Sequence, residues 1–340
     1  MKKIFLFGCL IPLFLRSTLV QAAECQNPFP HRNQQPMSAI FLELSPLTPC
    51  ALESGFYHIE TMLQTSNTIV IDSPGELSAS RMILDHERWE KTLVFRIGML
   101  RLKTDFGLTL RYIDEGPGNF DNILREYHQI IGLPYNARKI QQNVEYRYWQ
   151  YNPDTKEKIE TTSPQRGIGD IVLSFRHELG KTKIWENPIR WGWRIEFKQP
   201  SSSDLPTISS GNSDVGLGLL ASTSGNISGF PSAFWLNIGA VSPGKTKHKV
   251  YPQKPIFISG GTGINVDLSN TLNAAVQILG ASARYEVPAS VRGLNHRQTI
   301  LVIGLRHLIG SHSFSLGFTE DIDYYTSEDI SLLIGWQFSG

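Results

Sequence analysis

The sequence predicts an all-β protein: an antiparallel transmembrane β-barrel of about 12 strands, with about 14 as the upper limit. The final segment, residues 331–339, places Leu332, Ile334, Trp336 and Phe338 on one face beside the C-terminus. The chain begins with an N-terminal export signal. Segments of alternating polarity, each roughly ten residues long, recur from Gly55 onward. Together these features favour a barrel in an outer membrane, with aromatic residues at the membrane interfaces.

The N-terminus is typical of an exported protein. Lys2 and Lys3 precede an apolar run over residues 4–15, and Val20-Gln21-Ala22 offers the small residues that a signal peptidase accepts. We therefore expect a signal peptide over 1–22, an N-terminal periplasmic extension over 23–53 and an outer-membrane barrel over 54–340. The formal charge of +1 falls by three to −2 once the signal is removed, so the mature chain lacks the overall basic footprint of a nucleic-acid-binding protein.

Two cysteines remain in the mature chain, Cys25 and Cys50, on either side of a proline-rich stretch. An oxidising compartment permits disulfides, so the sequence predicts a bridge between them. We interpret this bridge as a clamp on the N-terminal extension, because the chain has no Cys-x-x-Cys pair of the redox type.

Alternation is clearest in residues 190–198, where Arg190 and Arg194 share one parity and Trp191 and Trp193 share the other. In a barrel the aromatic parity faces lipid and the charged parity faces the lumen. Arginines recur at the predicted inward parity of several strands: Arg96, Arg111, Arg176, Arg190 and Arg194. They can form a ladder that selects anions. Alternatively they can pair with inward carboxylates, such as Glu178 and Glu196, and stiffen a narrow lumen.

One segment departs from strand periodicity. Between residues 115 and 138, apolar side chains recur at spacings of three and four, which predicts an amphipathic helix. Counting strands backward from a C-terminus in the periplasm places this helix at the periplasmic end or in the lumen. It can act as a plug or constriction, or simply cap the barrel. Its polar residues Asp121, His128 and Arg138 can gate a pore or anchor the helix to the wall.

The same helix carries a resemblance. Its specific residues are Phe120, Asp121, His128, Leu133, Pro134 and Arg138, followed by Gly167-Ile168-Gly169-Asp170 at a strand start. With these, the chain resembles an uncharacterised family of Gram-negative outer-membrane barrels, known mainly as a domain of unknown function. The resemblance implies location and fold, and it implies no reaction.

Motifs of catalysis are missing from the sequence. It contains no His-Glu-x-x-His, no phosphate-binding loop with its lysine and no Gly-x-Ser-x-Gly elbow. The densest cluster, Asp85-His86-Glu87, lies in a strand-like setting that points His86 away from both neighbours. We therefore expect no enzyme, no catalytic residue, no metal and no cofactor.

The leading functional expectation is passage or binding of a small solute of unknown identity. A membrane-embedded lipid-modifying enzyme and a non-conducting structural or assembly barrel are the alternatives. The expected partners are outer-membrane lipid and lipopolysaccharide, the barrel assembly machinery and periplasmic chaperones. We expect a monomer that does not bind nucleic acid.

Overall fold

The computed structural model describes residues 25–72, 82–99, 103–118, 120–132, 145–184, 187–202, 204–247, 250–287, 291–323 and 326–340. The predicted signal peptide and Arg138 lie outside these residues. None of the described helices is long and apolar enough to cross a membrane.

The described residues form one antiparallel sheet whose long strands make the wall of a closed barrel. Three strands precede an excursion: β1 (Tyr57–Ile71), β2 (Met82–Gly98) and β3 (Thr104–Gly116). The excursion contains three short strands, β4 (Arg147–Tyr151), β5 (Lys158–Thr161) and β6 (Arg166–Ile168). Nine wall strands follow: β7 (Ile171–Ile184), β8 (Asn187–Gln199), β9 (Asp214–Ile227), β10 (Phe230–Ser242), β11 (Phe257–Asp267), β12 (Leu272–Ala281), β13 (Gln298–Ile309), β14 (His312–Asp321) and β15 (Ile330–Ser339). The wall therefore has twelve strands, as the sequence predicts.

The barrel closes where the first wall strand meets the last. β1 pairs with β15 from His58 opposite Ser339 to Asn67 opposite Ile330. This pairing joins the first and last wall strands of the described sheet, and a bilayer requires such closure of strands that cross it.

The two ends of the barrel differ. We call the end that holds Tyr57 and Gly340 the base, where their backbones exchange two hydrogen bonds. Short turns connect strands at the base, including those near Ser269 and Gly310. Long connections lie at the other end, which we call the rim. Short turns on the periplasmic side and long loops outside are typical of outer-membrane barrels.

The excursion between β3 and β7 corrects one prediction. The amphipathic helix is present as α2 (Asp121–Ile131), but it lies at the rim, so its predicted placement at the periplasmic end or in the lumen is wrong. β4 and β5 form a hairpin beside the rim end of β2. A transmembrane strand needs about nine to eleven residues, and these short strands do not cross the wall. Their alternation of polarity resembles that of a wall strand. Counting one of them as a crossing strand moves the predicted position of the helix to the opposite end of the barrel.

The N-terminal extension corrects a second prediction. Residues 25–53, which we call the inner segment, lie within the lumen instead of hanging beneath the barrel as a periplasmic extension. A short helix, α1 (Pro36–Ala39), forms the tip of this segment. The rim connection between β12 and β13 carries a further short helix, α3 (Arg292–Asn295).

Candidate functional site

The candidate site is the lumen together with the inner segment that fills it. The segment follows a hairpin path: a first limb runs from the base to the rim, α1 turns the chain, and a second limb returns. A disulfide joins Cys25 to Cys50, the pairing that the sequence predicts, with 5.4 Å between their Cα atoms. Both limbs are therefore joined where they meet the base.

The segment spans the height of the barrel. At the base, the backbone N–H of Leu52 donates to Asp105 on β3 over 3.1 Å. At the rim, the Tyr285 hydroxyl donates to the Met37 carbonyl over 3.1 Å, and the Asn33 amide donates to the Thr326 carbonyl over 2.8 Å. Burial raises the pKa of Tyr285 well above its usual range, so its hydroxyl keeps the proton that this bond needs.

Two wall amides hold the two limbs. Gln277 on β12 accepts from the Phe29 N–H and donates to the Phe29 carbonyl, both over 2.9 Å. Asn237 on β10 does the same with Leu47, both over 2.8 Å. Each amide supplies the donor and acceptor that a neighbouring strand would supply in a sheet. Each bond contributes a net stabilisation of about 0.5–1.5 kcal/mol, because water replaces it when the limb leaves.

Cations of the wall bind backbone carbonyls of the inner segment. Arg176 donates to the Thr48 carbonyl over 3.1 Å, Arg194 donates to the Ser45 carbonyl, and Lys198 donates to the Ile40 carbonyl over 2.7 Å. On the opposite limb, Arg306 donates to the Asn27 carbonyl over 2.9 Å and stacks on the Phe29 ring. These backbone contacts can be exchanged for contacts with water, but the segment is also held by apolar packing: Phe41 packs edge-on against Phe257 and Tyr285, and Phe29 lies in a buried cluster with Trp235.

The five predicted inward arginines face the lumen, and a wall carboxylate lies beside each of them. The nearest pairs are Arg96 with Asp105 (3.3 Å), Arg111 with Glu90 (3.4 Å), Arg176 with Asp105, Arg190 with Glu178, and Arg194 with Glu196 (3.4 Å). This geometry matches the salt-bridged interior, the second of the two interpretations drawn from the sequence. Selection of anions by these arginines stays a prediction.

Asp121 and His128 are on α2 and do not line the lumen, so their selection as constriction residues is wrong. Asp121 accepts a hydrogen bond of 2.8 Å from Asn67, which has the outward parity of β1. His128 is buried on the same helix. Arg138, the third member of the predicted network, lies outside the described residues.

Little space remains in the filled lumen. A cavity of about 60 Å³ lies between the inner segment and the wall, lined by charged side chains that include Arg32, Glu90, Arg96, Arg111 and Glu196. One water molecule needs about 10–15 Å³ by this measure, so the cavity holds a few waters and no larger solute. Among the described residues, no group of three or more His, Cys, Asp or Glu side chains is arranged to hold a metal ion.

Sequence reasoning missed the residues that hold the inner segment, above all Asn237, Lys198 and Arg306. A signal was present in the inward glycines. A Cβ at Gly304 would overlap the Phe29 ring, and a Cβ at Gly239 would overlap Leu44. Glycines at inward positions of strands mark places where another part of the chain approaches closely.

A closed wall with an apolar outer belt, a charged interior and a folded segment in the lumen defines an outer-membrane-type β-barrel. The model for the family "Protein of unknown function (DUF3187)" matches residues 11–339. The chain belongs to this family.

A solved structure gives the same fold. An outer-membrane channel from Pseudomonas putida F1 matches with a TM-score of 0.51 and 11% sequence identity, covering 88% of this chain and 100% of the channel. The translocator domain of the autotransporter NalP from Neisseria meningitidis matches with a TM-score of 0.42 and 10% identity, covering 84% of this chain and 89% of that domain. No curated protein sequence matches this chain. At 11% identity the match to the channel shows the fold alone.

Proposed function

We propose that this protein sits in the outer membrane of a Gram-negative bacterium and passes a small solute when its inner segment leaves the lumen. The observation that carries the proposal is the way the lumen is filled. The backbone of the inner segment is irregular and bound by wall amides and cations, its apolar side chains pack at the rim, and its covalent link to the wall is at the base, where it continues into β1. Its polar contacts can be exchanged for water, so the segment can move as a unit once its apolar side chains leave the rim.

Membrane lipid is the partner of the outer wall in this proposal. Outward side chains such as Leu217, Leu236, Ile258 and Ile334 are more than half exposed, and lipid covers them in a bilayer. We infer that the chain is exported, inserted by the barrel assembly machinery and active as a monomer. The proposal assigns no catalytic residue and no cofactor.

The lumen filling also favours a second candidate, a non-conducting structural or assembly barrel. In that case the inner segment is a permanent part of the core. The lipid-modifying alternative needs a Ser and His pair on the outer wall near the rim. By contrast, the described outward-facing histidines of the wall strands, His177, His307 and His312, lie near the base.

Weakening the two amide contacts tests the proposal in the full-length chain. Asn237→Leu combined with Gln277→Met keeps the approximate side-chain shape and removes four bonds to the inner segment. At about 0.5–1.5 kcal/mol per bond, the loss favours displacement of the segment by more than about tenfold. In a planar bilayer, we expect rare openings from the wild type and a much higher open probability from the variant.

The matched control is Gln337→Met, which removes an inward amide that bonds to Ser313 of the wall. It should behave as the wild type does. If all three proteins are folded and silent, passage of solute is excluded and the structural candidate takes its place. Equal opening by all three would show that the amides do not hold the gate.

A further inference from the structure

The helix α2 lies against the outer wall of the barrel, where the lipid-facing surface ends. Its Tyr127 hydroxyl reaches Glu320 over 3.5 Å, and the Tyr127 ring packs edge-on against Phe318 with 6.4 Å between centroids. Both β14 residues have the outward parity, as does Asn67 of β1, which donates to Asp121. Partial burial and the Glu320 carboxylate raise the pKa of Tyr127, so its hydroxyl remains a donor.

The wall beneath α2 is covered by protein only near the rim. The outward residues Asn67, Ile69 and Ile71 of β1 are buried. Nearer the base, outward residues of the adjoining strands are open: Leu332 is 43% exposed and Leu316 is 53% exposed. The helix therefore lies at the level where the exposed apolar surface of the wall ends and the part covered by protein begins.

Three faces of α2 have different surroundings. Leu124 and His128, four residues apart, are buried against the protein. Ile123 and Ile130 lie two turns apart on a neighbouring face and are 62% and 83% exposed. The remaining face is polar and carries Asn122, Arg125, Glu126 and Gln129.

We propose that α2 is an interfacial helix that inserts Ile123 and Ile130 among the acyl chains of the leaflet nearest the rim. The occupant is lipid, because the exposed isoleucines continue the lipid-facing belt through Tyr127 and Phe318. A helix that lies in the plane of an interface has this distribution, with apolar side chains in the acyl boundary and polar side chains in water. The inference does not depend on whether the barrel conducts.

Site-directed spin labelling of the full-length protein in phosphatidylcholine vesicles tests this proposal. The native cysteines of the described chain are in a disulfide, so Ile130→Cys and Gln129→Cys each provide one reactive thiol. Molecular oxygen concentrates in lipid, and a neutral nickel chelate stays in water. We expect oxygen to relax the label at 130 several-fold more than the nickel chelate does, and the reverse at 129.

Leu332→Cys on the outward wall is the reference for lipid contact. Ile123→Cys repeats the measurement two turns away on the same face of the helix. Each variant is first checked for folding by its migration in a gel without heating. Equal access of the nickel chelate to 129 and 130 would overturn the proposal, because α2 would then project into water. Exclusion of both reagents from 130 would also overturn it, because protein would then cover that face.

Discussion

We expect a protein shortened so that the mature chain starts at Ala51 to conduct a steady current, and we expect the full-length chain to stay mostly closed. This change removes the inner segment up to and including Cys50, and with it one side of the cavity of about 60 Å³ that lies between the segment and the wall. The wall should survive the loss, because three of the cations that bind the segment, Arg176, Arg194 and Lys198, keep carboxylate partners on the wall. Lys198, for example, lies 2.8 Å from Asp170 and 3.1 Å from Asp214.

Planar-bilayer recording of the refolded proteins checks this result. The matched control replaces residues 121–131 with a Gly-Ser linker of equal length, and it should leave the current unchanged because α2 lies outside the wall. A folded but silent truncated protein would contradict the gating proposal. A current that rises only when α2 is replaced would show that the rim governs passage.

Among the substitutions proposed for this protein, Asp105→Leu should cause the largest loss of folding stability. Asp105 is fully buried on β3 and accepts from the Arg176 Nε over 2.9 Å, from Arg96 over 3.3 Å and from the Leu52 N–H over 3.1 Å. Removing one partner of a buried ion pair typically costs about 3–5 kcal/mol, because it leaves charge uncompensated. We expect the free energy of unfolding in urea to fall by about that amount.

Asp154→Leu is the control, since Asp154 is exposed in the turn between β4 and β5, and it should change stability by less than about 0.5 kcal/mol. An Asp105→Leu barrel as stable as the wild type would contradict the burial of this ion pair near the base. It would mean that water reaches Arg96 and Arg176 in the resting protein.

The wall was predictable from the sequence because a barrel strand has a period of two. Alternation identified Leu332 and Ile334 as outward and Arg96 and Arg176 as inward, and the structure confirms each of these directions. The disulfide was predictable because few cysteines leave few pairings. These predictions rest on local or compositional signals.

The inner segment was not predictable by the same means. Its contacts join residues far apart in the chain, such as Phe29 with Gln277, and its irregular backbone has no period. Gln277 lies between Val276 and Ile278, so alternation places it inward, yet nothing in the neighbouring sequence shows that a limb of the N-terminus binds there. The predicted position of α2 was wrong for a different reason. The short strand β4 alternates in polarity as a wall strand does.

Occupancy of the lumen by the inner segment is the central claim, and thiol access tests it most directly. Thr92 on β2 lines the cavity beside the segment, and Thr92→Cys adds a free thiol there. Its rate of reaction with a charged, water-soluble thiol reagent is measured in the full-length chain and in the chain that starts at Ala51. We predict slow labelling of the full-length protein and labelling at least about tenfold faster after truncation, whereas equally fast labelling of both would show that the segment does not fill the lumen.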